Sequence, residues 1–340
     1  MNGRERILAA LRGEWPDRVP IMLHNFMLAA RENGVPMSRF RRDGRAVAES
    51  FIRAVETYGY DGVLVDIDTV TLAGAAGVPV DLPEDLPARA RGALLGSLDE
   101  VRDLEPVRIE EYPAVRAALD AVALLKDYFR GEVAVRGNCD QAPFALAALM
   151  RGVEDWLLDL TQAEEALIVR LLSYCTTLTG RFLELMAGAG ADILSNGDSP
   201  AGPDVISPGM YRTYAQPWEE RVVEMSRRLG RPYILHICGD ARLILPDMIA
   251  TGADGLELDQ KTDIPFAHVL MKHRTTFVGN LDPSGVLAWG TKALVRTKTR
   301  ELVEAFADTP RFILNAGCAI PAETPSENLR AMIDTARAFR

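Results

Sequence analysis

The 340-residue chain carries 38 Lys+Arg against 48 Asp+Glu, a formal net charge of −10, with 48% hydrophobic and 25% charged residues. That composition suits a globular protein, and the acidic balance argues against nucleic acid or an anionic membrane surface as partner. No stretch approaches the ~18 uninterrupted apolar residues of a membrane span, and the N-terminus has no apolar signal core. Four cysteines at scattered spacings suit a reducing, cytoplasmic setting rather than a disulfide framework.

In chain order, Arg4 to Gly13 has Ile7, Leu8 and Leu11 at helical spacing. Val19 to Leu23 reads as a first strand ending at His24 and Asn25, and Ala46 to Tyr58 as a helix with Val47, Phe51 and Val55 on one face. A second strand, Asp61 to Val65, closes on Asp66 and Asp68. From Thr69 to Pro106 the chain turns Gly/Pro-rich, which predicts an irregular insertion over the mouth of the fold. A helix over Pro113–Phe129 leads to a third strand, Val133–Val135, ending at Asn138, Cys139 and Asp140. Helices are predicted over Phe144–Leu160 and Glu164–Met186, then a fourth strand, Asp192–Leu194, ending at Asn196 and Asp198. Gly209–Leu229 reads as a helix before a fifth strand, Tyr233–Leu235. After a helix over Ala241–Thr251, Gly255–Leu258, Thr275–Val278 and Phe312–Leu314 are strands six to eight, separated by helices over Pro265–Lys272 and Thr291–Phe306. Thr324-Pro325-Ser326-Glu327 has the pattern of a capping box opening the last helix.

Eight strands, each followed by a helix and with no break in composition, predict a single (β/α)₈ barrel domain over residues 1–340. A doubly wound sheet would carry a glycine fingerprint after its first strand, and none is present. Chemistry is therefore expected just past the strand ends. His236 and Cys238 stand at i, i+2 after the fifth strand, a spacing that places both side chains on one face. Cys318, in the Gly317–Pro321 turn after the eighth, adds a third nitrogen or sulfur donor. Three such donors with an open position match a catalytic zinc site rather than a structural one. Asp198, Glu257 and Asp259 are the candidate fourth ligands, unranked. Asp198 also suits a turn, and Asn280 and Asp282 in Gly279–Pro283 suit a turn cap as well as a pocket wall. Cys175, inside a long amphipathic helix, reads as a buried hydrophobe; Cys139, at a strand end, suits either a pocket wall or, more commonly, an inert buried thiol. His268 and His273 are expected in solvent.

The segments RERILAALRGEWPDRVP, GNLDP at Gly279–Pro283 and GCAIPAETPSENLRAM at Gly317–Met332 resemble the uroporphyrinogen decarboxylase superfamily nearly end to end. Within it, H-x-C followed by the C-terminal Gly-Cys turn resembles the zinc-dependent cobalamin methyltransferases, including the methylcobamide:coenzyme M and O-demethylase types. The resemblance implies Zn²⁺ on His236, Cys238 and Cys318. It further implies methylcobalamin or another corrinoid as co-substrate on a corrinoid-binding protein, a small thiol or methyl ether as the other substrate, and His24, Asn25, Asp198, Asn280 and Asp282 around it. A homo-oligomer is compatible with it. The decarboxylases grip their substrate's carboxylates with an Arg-rich N-terminal motif, and the matching region here, His24 to Arg31, lacks it. The alternatives are decarboxylase chemistry, which needs no metal, and a zinc- and corrinoid-binding barrel without turnover.

Overall fold

The computed structural model describes residues 1–339. Eight parallel strands form one sheet: β1 (Met22–Leu23), β2 (Gly62–Val65), β3 (Ala134–Gln141), β4 (Ile193–Gly197), β5 (Tyr233–Ile237), β6 (Gly255–Leu258), β7 (Thr276–Leu281) and β8 (Phe312–Ala316). Each pairs with the next in sequence. The parallel bridge Ile21 to Leu314 joins the last strand to the first and closes the sheet into a (β/α)₈ barrel.

Parity along the strands decides what lies inside. Met22, Ala134, Ile193, Ile234, Val278 and Ile313 form an apolar floor with Ile7, Ala10 and Leu11 of the first helix, Gly3–Arg12. That helix plugs the N-terminal end of the barrel. Its Asn2–Glu5 capping box satisfies the first-turn amides, and Arg6 reaches Asp61 at 2.9 Å while Arg4 reaches Asp192 at 2.8 Å. Burying Ile7 and Leu11 is worth about 1.5–3 kcal/mol each. Gly62 completes this layer where space is short, since a Cβ there would lie 3.3 Å from both Met22 and Ala134. Two residues further along each strand the same face turns polar, giving His24, Arg136, Ser195, His236, Glu257, Asn280 and Asn315.

The insertion after β2 runs as expected over the mouth, with a helix at Thr71–Ala75 and a short hairpin, Val80–Asp81 with Arg89–Ala90. The buried guanidinium of Arg41 donates to the carbonyls of Pro83 and Leu86 and so ties it down. Several predicted elements are corrected. The expected Phe144–Leu160 helix is two, Pro143–Arg151 and Val153–Gln162, broken where Gly152 takes φ of 86°. The Gly209–Leu229 helix passes through a π segment at Tyr211–Ala215, just before Pro217, which has no amide to donate. The last helix spans Ser326–Ala338 with Pro325 at its N-cap and no side-chain cap, so the capping box does not form. His268 is not in open solvent: its Nε2 lies 2.6 Å from Asp308, and its ring meets Phe306 edge-on. Among the described residues no helix is long and apolar enough to cross a membrane.

Candidate metal centre

Parity and register assemble the centre. His236, near the end of β5, pairs in register with Gly197 on one side and Glu257 on the other. Its Nδ1 lies 2.9 Å from the backbone carbonyl of Glu257, so that nitrogen carries the proton it donates, and Nε2 is the ring nitrogen turned toward the cysteines. Cys238, two residues on, brings its Sγ to 3.1 Å from that Nε2. Cys318 follows β8, and its Sγ is 3.9 Å from that of Cys238. The ligand atoms of the three residues all lie within 4.8 Å of one another.

The loops that present the two cysteines are built for it. The Gly239 amide donates to Asp259 at 3.0 Å, and the Cys238 amide to Ser199 at 3.4 Å. On the other side, a Cβ on Gly317 would lie 2.5 Å from the backbone nitrogen of Gln260. Only glycine therefore lets the Cys318 turn approach the β6 exit.

The electrostatics separate the two thiols. Cys238 is held down to about 3 by the thiol hydrogen bond from Cys318, against the opposing effect of burial, with further help from the charge and hydrogen bond of His236. Burial works against a charged His236, but the Cys238 thiolate and Glu257 outweigh it and lift the imidazole to about 9. Cys318, as donor to Cys238, is pushed up. The trio therefore holds a thiolate on Cys238 paired with a protonated His236 ring, beside a second, protonated thiol on Cys318.

These residues open on a cavity of about 180 Å³ at the C-terminal end of the barrel. Pockets for drug-sized ligands run to roughly 300–1,000 Å³, so this space is at the small-molecule end of that range or below it. Arg136 and Glu257 pair across its floor at 2.5 Å, both almost fully buried. Burial opposes the Glu257 charge, yet Arg136 and His236 hold its carboxyl below the usual range. At the other wall stand Asp66, Asp68 and Asp140. A bulge in the β3–β4 pairing turns Asp140 inward at φ of 57°, where the Leu72 amide donates to it at 2.6 Å. Burial, and then the neighbouring Asp68 charge, raises its carboxyl well above the ordinary value.

The other residues singled out in the sequence divide by where they face. His24 lines the cavity. Asn25, one position on, faces outward and its amide lies 3.4 Å from the Tyr60 hydroxyl. Cys139 and Cys175 are fully buried away from the cavity, and burial raises both thiols. Asp198 is buried outside the barrel wall, accepting the Ala145 amide at 2.7 Å beside Glu219. Asn280 is spent on the carbonyls of Asp259 and Thr262, and Asp282 caps the amides of Ser284 and Gly285. Of the three acids considered beside the trio, Glu257 alone borders the cavity; Asp259 serves the Gly239 turn. Arg136 and Asn138 were not singled out, although the alternation from Ala134 places both on the inner face.

A family model described as uroporphyrinogen decarboxylase (URO-D) matches residues 2–339. The chain belongs to the URO-D family. Among its relatives, the methylcobamide:CoM methyltransferase MtbA of Methanosarcina mazei is 28% identical over 343 residues, 99% of this chain and 98% of the relative. The uroporphyrinogen decarboxylase of Thermus thermophilus is 31% identical over 346 residues, 96% of each. A solved methyltransferase from Methanosarcina mazei superposes with a TM-score of 0.92 at 21% identity, covering 100% of this chain and 99% of that one, which shows the shared fold. URO-D relatives of both kinds are enzymes, and this member is an enzyme.

Proposed function

We propose that this URO-D family member is a zinc-dependent methyltransferase that moves a methyl group between a corrinoid, carried on a partner protein, and a small thiol or methyl ether. The observation that carries the reading is the convergence of His236, Cys238 and Cys318 from two strand ends on one side of a small cavity. Zinc bond lengths of about 2.3 Å to sulfur and 2.0 Å to nitrogen imply roughly 3.6 Å between N and S and 3.8 Å between two sulfurs in a tetrahedral site. The separations here, 3.1 and 3.9 Å, lie within half an ångström of those values. One imidazole and two sulfurs suit zinc, and three protein ligands leave a position for substrate.

Zinc held by the trio supplies a Lewis acid that favours the thiolate of a thiol or the alkoxide of an ether. The chain's own residues do the rest. The Glu257 carbonyl fixes the His236 ring, Asp259 and Gly317 set the positions of the cysteines, and the cavity holds a small substrate while the corrinoid stays at the mouth. Four free cysteines suit a reducing cytoplasm.

Decarboxylation remains a second reading because of the 31% identity to a decarboxylase. Against it, the β1 exit presents His24 and Phe26 to the cavity, and Arg31 lies exposed, donating to the Ala322 carbonyl. Polycarboxylate substrates need an arginine cluster to hold them.

The test is methyl transfer. Zinc-loaded protein given methylcobalamin and a thiol should convert the methyl-Co(III) spectrum to Co(I), at a rate that follows zinc content and collapses in His236→Ala. Zinc-replete protein that is inert with every methylcorrinoid, thiol and methyl ether supplied, or that decarboxylates uroporphyrinogen at enzyme-like rates, overturns the reading.

A further inference from the structure

One titratable side chain in the cavity has no part in holding a metal. His24 follows directly on β1, and its main chain is clamped to the segment that carries Cys318. Its amide donates to Asn315 Oδ1 at 3.1 Å, and its carbonyl accepts the Ile320 amide at 2.8 Å. Its ring stacks on Phe26 with centroids 5.6 Å apart. Nε2 lies 2.7 Å from Oδ2 of Asp66, whose other oxygen accepts the Ile67 amide at 2.8 Å. The main chain is thus held at two points and the ring at two more, and Asp66 assigns the Nε2 proton.

Nδ1 is left over. It is buried, and among the described residues it has no hydrogen-bond partner. The charged group facing it is Glu257, with Oε1 at 3.8 Å, too far for a hydrogen bond. Glu257 is itself committed to Arg136 at 2.5 Å and to the Asn315 amide at 3.0 Å. A buried polar atom with no partner costs free energy unless something else meets it. The ring that carries it lines the small-molecule cavity together with Cys238 and Cys318.

We propose that His24, oriented by Asp66, is the proton acceptor and donor for the substrate; this rests on the methyltransferase reading above. When a thiol enters, its S–H bond breaks and the proton forms an N–H bond at Nδ1. The sulfur keeps the electron pair and uses it to attack the methyl carbon. The carbon–cobalt bond then breaks with its pair left on cobalt, giving Co(I). For a methyl ether the flow reverses. Co(I) supplies the pair that takes the methyl, the C–O bond breaks with its pair on oxygen, and that oxygen takes the proton from Nδ1. The Asp–His pair does for the substrate what such pairs do for hydroxyl and thiol nucleophiles elsewhere.

The experiment counts protons. Zinc-loaded wild type and His24→Gln are titrated with 2-mercaptoethanol by calorimetry at one pH in two buffers of different ionisation enthalpy. Wild type should retain the thiol proton and release few to the buffer, whereas His24→Gln should release about one per thiol bound, with zinc content unchanged. Equal release from both proteins overturns the proposal while leaving the methyltransferase reading intact; failure of the zinc-loaded wild type to bind thiol overturns both. Should His24→Gln not fold, Asp66→Asn decides: kcat should fall about 10²- to 10⁴-fold with little change in KM, and an unchanged kcat overturns the role.

Discussion

The imidazole Nδ1 of His236 donates to the backbone oxygen of Glu257, not to its carboxylate. The carboxylate serves Arg136 and Asn315 instead. Glu257→Gln should therefore keep its zinc, because the carbonyl that orients the ligand is untouched. It should still destabilise the barrel by about 3 kcal/mol, because Arg136 is left as an unpaired buried charge. Metal analysis and urea unfolding check the two halves separately; joint loss of zinc and stability would show that the side chain itself holds the centre.

Gly317 governs the other half of the trio. An alanine Cβ would sit 2.5 Å from the Gln260 backbone nitrogen, which cannot swing aside as a flexible side chain could. Gly317→Ala should displace the Cys318 turn and weaken zinc binding by about 10- to 100-fold, the range for misplaced ligand support. Competition with a chromogenic chelator measures this, and unchanged circular dichroism would show that the barrel survives.

Asp198 and Glu219 give a pH signature remote from the metal. Burial lifts Asp198 to about 7, and burial with the Asp198 charge raises Glu219 further. Asp198 Oδ2 and Glu219 Oε1 lack any other partner, so one proton shared between the two carboxyls accounts for both. Unfolded, Asp198 ionises near 3.8. The folded state thus binds more protons across a window that opens near pH 4 and extends past pH 7, and stability falls as pH rises through it. Asp198→Asn keeps an acceptor for the Ala145 amide and can donate to Glu219. Its melting temperature should depend less on pH over that window than that of the wild type, and should match or exceed it at pH 8. A parallel pair of curves would rule out the shared proton.

Arg41 links the barrel to the strap over its mouth through the carbonyls of Pro83 and Leu86. Arg41→Ala should cost about 1–3 kcal/mol for the two orphaned carbonyls. It should also expose the stretch from Pro83 to Arg89 to trypsin, with cleavage at Arg89 appearing before global unfolding. Limited proteolysis followed by mass spectrometry reads this directly.

The barrel was legible because eight apolar runs alternate with helical ones, and parallel strands buried on both faces leave that plain pattern. That His236, Cys238 and Cys318 come together was legible for a chemical reason: few residue types bind soft metals, so three of them at strand ends stand out. What did not follow was which polar residue at a strand end faces inward. Asn25 reads like His24 in a list, yet one step along the chain turns its side chain through the barrel wall, and an odd number of steps does the same for Asp198 relative to the inward-facing Ser195. Arg136 was hidden because a charge inside a strand reads as an edge or surface residue until its partner, Glu257, 121 positions later, is known to stand beside it. Asp140 needed the β3 bulge, which no short-range pattern announces.

The helix that plugs the barrel floor has a kinetic consequence. With Ile7, Ala10 and Leu11 seated among the floor residues, the N-terminal end is plugged, and the cavity lies at the opposite, C-terminal end. In the proposed reaction a bulky corrinoid must cover that end while the methyl crosses. The small substrate must then already be inside when the corrinoid arrives, and its product must wait until the corrinoid departs. Turnover on such a scaffold is compulsory-order: first in is last out, and an excess of corrinoid protein over small substrate should act as a dead-end inhibitor.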